Sequence, residues 1–265
     1  MNIISIQDGR KLNIDKKETY RYLGYHFGGE VPIDDELEKM VTELTGKVKE
    51  VITPRCAYEM YGLYVKDDTC SLNRYSHNDF SQTSIDAKEN RDNSSEPLLI
   101  IKSSKLSAHI KECRYAILFA ATIGPGADML IRRYSGRSTI KPAILQAVGA
   151  AAIEAFADDM ALQIFKEIVN SRSGIIFPSS TDELRNASSI SDKTIDYDLL
   201  ADNISDPVIK SVLKMRFSPG YGDFSLNHQR DFFKLLNLEK NLGMSLNSAL
   251  LMSPSKSITA VIGII

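Results

Sequence analysis

Residues 98–134, LLIIKSSKLSAHIKECRYAILFAATIGPGADMLIRRY, place two apolar runs around a helical stretch and follow the second with a glycine turn and another helix. The runs at 98–101 and 114–124 are short and rich in aliphatic residues, as buried strands are. Between them the spacing predicts a helix from about residue 104 to 112. Gly124-Pro125-Gly126 then leads into ADMLIRRY. A strand, a glycine turn and a helix can cradle a phosphate at the helix N-terminus. No Lys-Ser or Lys-Thr pair follows at the spacing that a P-loop needs, so a plain turn is the better reading.

Working outward, helices and strands succeed one another without a regular βαβ rhythm. Asp15 caps a short helix carrying Tyr20, Leu23 and Phe27 on one side, with Gly28-Gly29 at its end. After Asp34, a second cap, Leu37, Met40, Val41, Leu44, Val48 and Val51 recur at helical spacing until Pro54. Residues 55–66, RCAYEMYGLYVK, predict a strand, whereas 67–97 turn to Asp, Asn, Ser and Thr and predict a long exposed loop with at most a short ribbon. The longest helix starts near Thr139, tolerates Pro142 in its first turn and runs to about Asn170. A polar connector then leads to a helix expected over 206–215. The C-terminal third predicts a helix over 227–241, then Gly243, a strand, a proline turn and the strand SITAVIGII at 257–265. No internal repeat is visible. The fold class is α+β, a twisted, mainly antiparallel β-sheet flanked by helices. One domain over 1–265 is expected, with a helical N-terminal part at about 15–53 and a polar insert at about 67–97.

Bulk properties exclude several classes of function. Of 265 residues, 43% are apolar and 25% charged, and the net charge of −2 leaves no basic stripe for nucleic-acid phosphates. Cys56, Cys70 and Cys113 are odd in number and widely spaced, which fits neither a disulfide framework nor a metal site. No secretion signal opens the chain and no unbroken apolar run approaches the length of a membrane span, so a cytoplasmic location is expected.

Two loci carry chemistry. Glu154 sits in GAAAIEAFADD, where Ala147, Ala150, Ala151 and Asp158 share its helix face. A carboxylate on an alanine-lined face leaves room for a ligand ammonium group or another backbone. The second locus is RFSPGYGD at 216–223. Pro219, Gly220 and Gly222 make an irregular turn whose backbone groups are expected to be free for a ligand. Arg216 offers a planar fork suited to a carboxylate, and Tyr221 a flat ring with a polar tip. Taken singly, each is as well explained by a salt bridge or a structural turn. His228 has no evident acidic partner at catalytic spacing, and no triad, dyad or metal cluster stands out.

In combination these residues acquire meaning. Arg-x-x-x-Gly-Tyr at 216–221, IEAFAD at 153–158 and LLNLEKNLGMSLNSALLMSPSKSITAV at 235–261 resemble the reactivation domain of cobalamin-dependent methionine synthase. TYRYLGY at 19–25 and LFAATIGPGADMLIRRY at 118–134 look like the short, free-standing members of that family. The resemblance spans most of 15–265 and is dense over about 140–262. It implies an S-adenosylmethionine site made by Glu154, Arg216, Ser218, Gly220 and Tyr221, with no catalytic side chain and no metal. The cobalamin is implied to be carried by a partner, a methionine synthase core or related corrinoid protein, because none of the four histidines stands in an Asp-x-His-x-x-Gly motif. A flavodoxin-like reductant would supply the electron that precedes methyl transfer from S-adenosylmethionine. Where the fused domain has a carboxylate one turn before the helix glutamate, this chain has Ala150. Two alternatives stay open: reactivation of another corrinoid methyltransferase, and a non-catalytic S-adenosylmethionine-binding module.

Overall fold

Strand Tyr115–Thr122 is buried at every position and organises the molecule. A computed structural model describes residues 2–4, 9–25, 34–74, 96–171 and 212–265. The strands are β1 (Asn2–Ile4), β2 (Arg55–Lys66), β3 (Thr69–Arg74), β4 (Leu99–Lys102), β5 (Tyr115–Thr122), β6 (Ser245–Leu246), β7 (Met252–Ser253) and β8 (Ser257–Ile264). The helices are α1 (Lys16–Tyr22), α2 (Asp35–Val51), α3 (Ser104–Ile110), α4 (Gly126–Ser135), α5 (Ile140–Ser171), α6 (Gln229–Leu235) and α7 (Leu238–Leu242). Six strands form one sheet in the order β4-β3-β2-β5-β8, with β1 also on β2, and β6 and β7 make a separate ribbon. Every strand pairing among the described residues is antiparallel, as the α+β reading expected.

Side chains alternate across a strand, so β5 feeds two cores. Tyr115, Ile117, Phe119 and Ala121 face a core closed by α1, α2, α4 and α5, which includes Val41, Leu44, Ile131, Val148 and Phe156. Ala116, Leu118 and Ala120 face the opposite core, closed by Leu106 and Ile110 of α3, Phe232 of α6 and Leu242 of α7. Burying a Leu, Ile or Phe side chain contributes roughly 1.5–3 kcal/mol, so the sheet is held from both sides.

The helix starts follow their sequence signals. Asp15 and Asp34 cap α1 and α2 by accepting the N–H of Lys17 and Glu36. The Gly124–Gly126 turn is a packing device: Gly124 has φ +78°, and a Cβ on Gly126 would lie 2.0 Å from the Val51 carbonyl oxygen. Only a bare backbone lets α4 begin against the end of α2.

Several expectations need correction. The stretch read as a polar loop from residue 67, with a short ribbon allowed, opens with β3 in a six-residue hairpin pairing, whose Cys70 and Leu72 are buried while Asp67 turns the hairpin at φ +53°. Two inward residues suffice where a long neighbour such as β2 supplies the ladder. The single helix expected over 227–241 is a 3₁₀ turn (Leu226–His228) followed by α6 and α7, because Asn237 adopts the left-handed conformation at φ 47°. Most of the helix expected at 206–215 lies outside the described residues, and its end is extended, with Leu213 bridging Ile264. Phe27 and Gly28-Gly29, read as the end of the first helix, also lie outside them. By length and composition, α5 is apolar enough to cross a membrane over Ile140–Ile168. The helix contains no unbroken apolar run of that length and is apolar only on average, through its alanines; its inward face belongs to the core beside β5.

Candidate functional site

The segment 212–217 runs beside β8 as a short antiparallel extension of the sheet. Lys214 N–H donates to Gly263, and Phe217 and Val261 exchange two hydrogen bonds of 2.9 Å. Phe217 turns into the core shared with α3 and α6. Arg216, its neighbour, reaches α5 instead.

There the two sequence loci meet. Arg216 Nη2 donates to Glu154 Oε2 at 2.8 Å, and Nη1 donates to Asp158 Oδ1 at 2.5 Å. The arginine side chain is 14% exposed and the two carboxylates are 41% and 43% exposed, so the guanidinium is held under a more open acidic rim. Glu154 and Asp158 are one helical turn apart, a spacing that puts both on one face. At Asp159, the next residue, desolvation together with the Asp158 charge raises the carboxyl above the usual range. Part of the room expected beside Glu154 is occupied: Ala147 and Ala151 are buried, and Arg216 lies at the carboxylate end of the face, where the Glu154 carboxylate stays open on its other side. Ala150 is half-buried.

After Arg216 the chain turns sharply. Gly220 and Gly222 have φ of +91° and +61°, which residues with a Cβ adopt only under strain. Gly220 N–H donates to Phe224, Tyr221 N–H to Ser218, and Phe224 N–H to Tyr221. This corrects the expectation that the turn's backbone is free for a ligand: the Gly220 and Tyr221 amides are committed within it, and Ser218 supports the turn through its carbonyl. Carbonyl oxygens keep a second lone pair for further bonding. Tyr221 is 67% exposed, its ring edge-on to Phe217 at 5.3 Å. Of the five residues, Arg216 and Glu154 are brought into direct contact, whereas Ser218, Gly220 and Tyr221 follow Arg216 along the chain in the turn whose ring packs on Phe217.

Sequence reasoning missed three side chains. Asp158 was placed on the right face but not given its role as the second anchor of Arg216. Asp223 ends the quoted motif, and its carboxylate accepts from Ser103 Oγ (2.6 Å), Ser104 N–H (2.8 Å), Ser104 Oγ (2.6 Å) and Lys105 N–H (3.2 Å). His228, thought to lack an acidic partner, has Asp231 2.7 Å from its Nδ1. That spacing, one helical turn, was visible in the sequence. His228 also lies against the Phe224 ring. Among the described residues no group of His, Cys, Asp and Glu is placed to hold a metal ion.

The hydroxyls of Ser103 and Ser104, followed by the Lys105 and Ser104 amides, hold the Asp223 carboxyl far below the usual range. A depressed carboxyl stabilises the fold wherever it is ionised, above its unfolded value near 4, and the contribution fades as pH falls toward the folded value. Asp223→Asn is accordingly expected to lower Tm at pH 7, and the gap from wild type to narrow below about pH 4. Thermal denaturation across a pH series measures this.

No family model matches the chain, and neither does any curated protein. Among solved structures, the MetH reactivation domain bound to AdoHcy superposes with a TM-score of 0.59 over 99% of this chain and 78% of that one, at 14% sequence identity. The chain has the fold of that reactivation domain.

Proposed function

We propose that this chain binds S-adenosylmethionine at Glu154, Arg216, Ser218, Gly220 and Tyr221 and serves as a reactivation subunit for a cobalamin-dependent methionine synthase. The observation that carries the reading is the ion pair of Arg216 with Glu154 at the start of the chain turn that exposes Tyr221, on the fold of a domain solved with AdoHcy. The donor set suits the ligand. Glu154 and Asp158 offer anionic oxygens to an ammonium group, Arg216 offers charge-assisted donors to a carboxylate, and Tyr221 offers a ring to an adenine or a sulfonium.

Cobalamin held by the partner supplies the nucleophilic cobalt, and a flavodoxin-like protein the electron. The side chains of this chain then need only hold the sulfonium and its methyl group in one orientation and exclude water. Neither role requires a general acid or base.

Calorimetric titration with S-adenosylmethionine, with free cobalamin as a separate control, tests the proposal. Saturable binding of S-adenosylmethionine alone is expected; no binding by the folded chain would overturn it. In the same assay Glu154→Gln is expected to weaken binding about tenfold, the value of one hydrogen bond to a charged group.

Half-buried Ala150 favours a second partner reading. The fused domain resembled by the sequence has a carboxylate at that position, so docking onto another corrinoid methyltransferase fits this surface as well. Methyl loss from S-adenosylmethionine in the presence of each candidate corrinoid protein and a reductant separates the two.

A further inference from the structure

The turn that bears Tyr221 is tied at both ends to the same short helix. At its beginning, His109 in the last turn of α3 donates from Nε2 to the Met215 carbonyl at 2.8 Å, and the His109 ring lies 5.6 Å from that of Phe217. At its end, Asp223 takes hydrogen bonds from Ser103, Ser104 and Lys105, where α3 begins. Between these anchors the stem of Lys105 lies along Gly222, where a Cβ would come within 2.6 Å of the lysine Cδ. Helix α3 is itself fixed to the sheet, since Leu106 and Ile110 are fully buried in the core beneath it.

We infer that α3 is a splint for the Arg216–Gly222 segment, with Asp223 as a positioning residue that sets the backbone of the ligand-facing turn without touching the ligand. The inference rests on the proposed site, and its chemistry is specific. A turn with two positive-φ glycines has many alternative conformations once released. Hydrogen bonds from hydroxyls and amides to an ionised carboxylate are among the stronger ones available to hold it. Because the carboxylate is exposed, its replacement leaves no buried unpaired charge, so the fold is expected to survive while the turn loosens. Binding then falls because the free protein must order the turn on each encounter.

Asp223→Ala removes the bonds that anchor the end of the turn and leaves the His109 anchor in place, whereas Asp223→Asn keeps an oxygen that can accept from an amide. His109→Gln retains a donor toward Met215 and serves as the conservative control. Two readouts are taken on folded protein, well below Tm. Amide hydrogen exchange at Gly220, Tyr221 and Phe224, without ligand, is expected to speed up at least tenfold in Asp223→Ala with β5 and β8 unchanged. S-adenosylmethionine affinity is expected to fall about tenfold in Asp223→Ala, about threefold in Asp223→Asn and little in His109→Gln. Unchanged exchange at the turn in Asp223→Ala would overturn the splint. A loosened turn with wild-type affinity would overturn the positioning role. A wild-type chain that binds no S-adenosylmethionine but shows the exchange effect would sink the proposed ligand and leave the splint standing.

Discussion

Arg216→Ala is expected to weaken S-adenosylmethionine binding by roughly thirtyfold to a thousandfold, the effect of truncating the mostly buried partner of a hydrogen-bonded charge pair, about 2–4 kcal/mol. The loss has two sources. In the proposed site a ligand carboxylate would lose its planar donor, and Glu154 and Asp158, now without their shared counter-charge, repel each other across one helical turn. Arg216→Lys tests the geometry separately. An ammonium keeps the charge but cannot address two carboxylates through two fixed nitrogens, so it is expected to recover only part of the affinity. Titration calorimetry on variants shown to be folded by circular dichroism provides the measurement. An Arg216→Ala protein that binds like wild type would remove Arg216 from the site.

Phe156→Ala is expected to have the largest effect on stability, about 3–5 kcal/mol. Phe156 is 1% exposed, in the core between α5 and the sheet, and lies between Glu154 and Asp158 in sequence but on the opposite side of the helix. A domain's whole stability is about 5–15 kcal/mol, so this one truncation consumes a large part of it. Urea denaturation reads the loss as a lower midpoint at unchanged slope. Because α5 carries both acidic residues of the site, binding is expected to fall with it. Phe156→Leu, which keeps most of the volume, is expected to restore both.

Much of this architecture is legible in the amino-acid order alone. Caps at Asp15 and Asp34 mark helices whose ends they control through their own oxygens. The apolar runs that form β5 and β8 are unmistakable because both faces of each are covered. Local information fails where a neighbour decides the outcome. Strand β3 holds only Cys70 and Leu72 inward and is a strand because β2 runs past it. The break at Asn237 hides in a leucine-rich run, since a left-handed asparagine has no marker in composition. At the site, the residue types are legible and their connections are not. Glu154 and Asp158 announce a common face through helical spacing, but nothing local joins Arg216 to them, nor Asp223 to Ser103 and Ser104. Those pairings exist because the sheet brings distant segments side by side.

The pairing of Phe217 with Val261 also has a temporal meaning. Ribosomes deliver α5 with its two acids first, the Arg216 segment later and β8 after that. Until β8 has docked along β5, a partnership between segments far apart in sequence, the Arg216 segment has no edge to lie against. Long-range pairings of this sort form slowly, because a large loop must close before any contact rewards it. A chain in which β8 has not yet docked would therefore hold the acidic face of α5 without the edge that presents Arg216 to it.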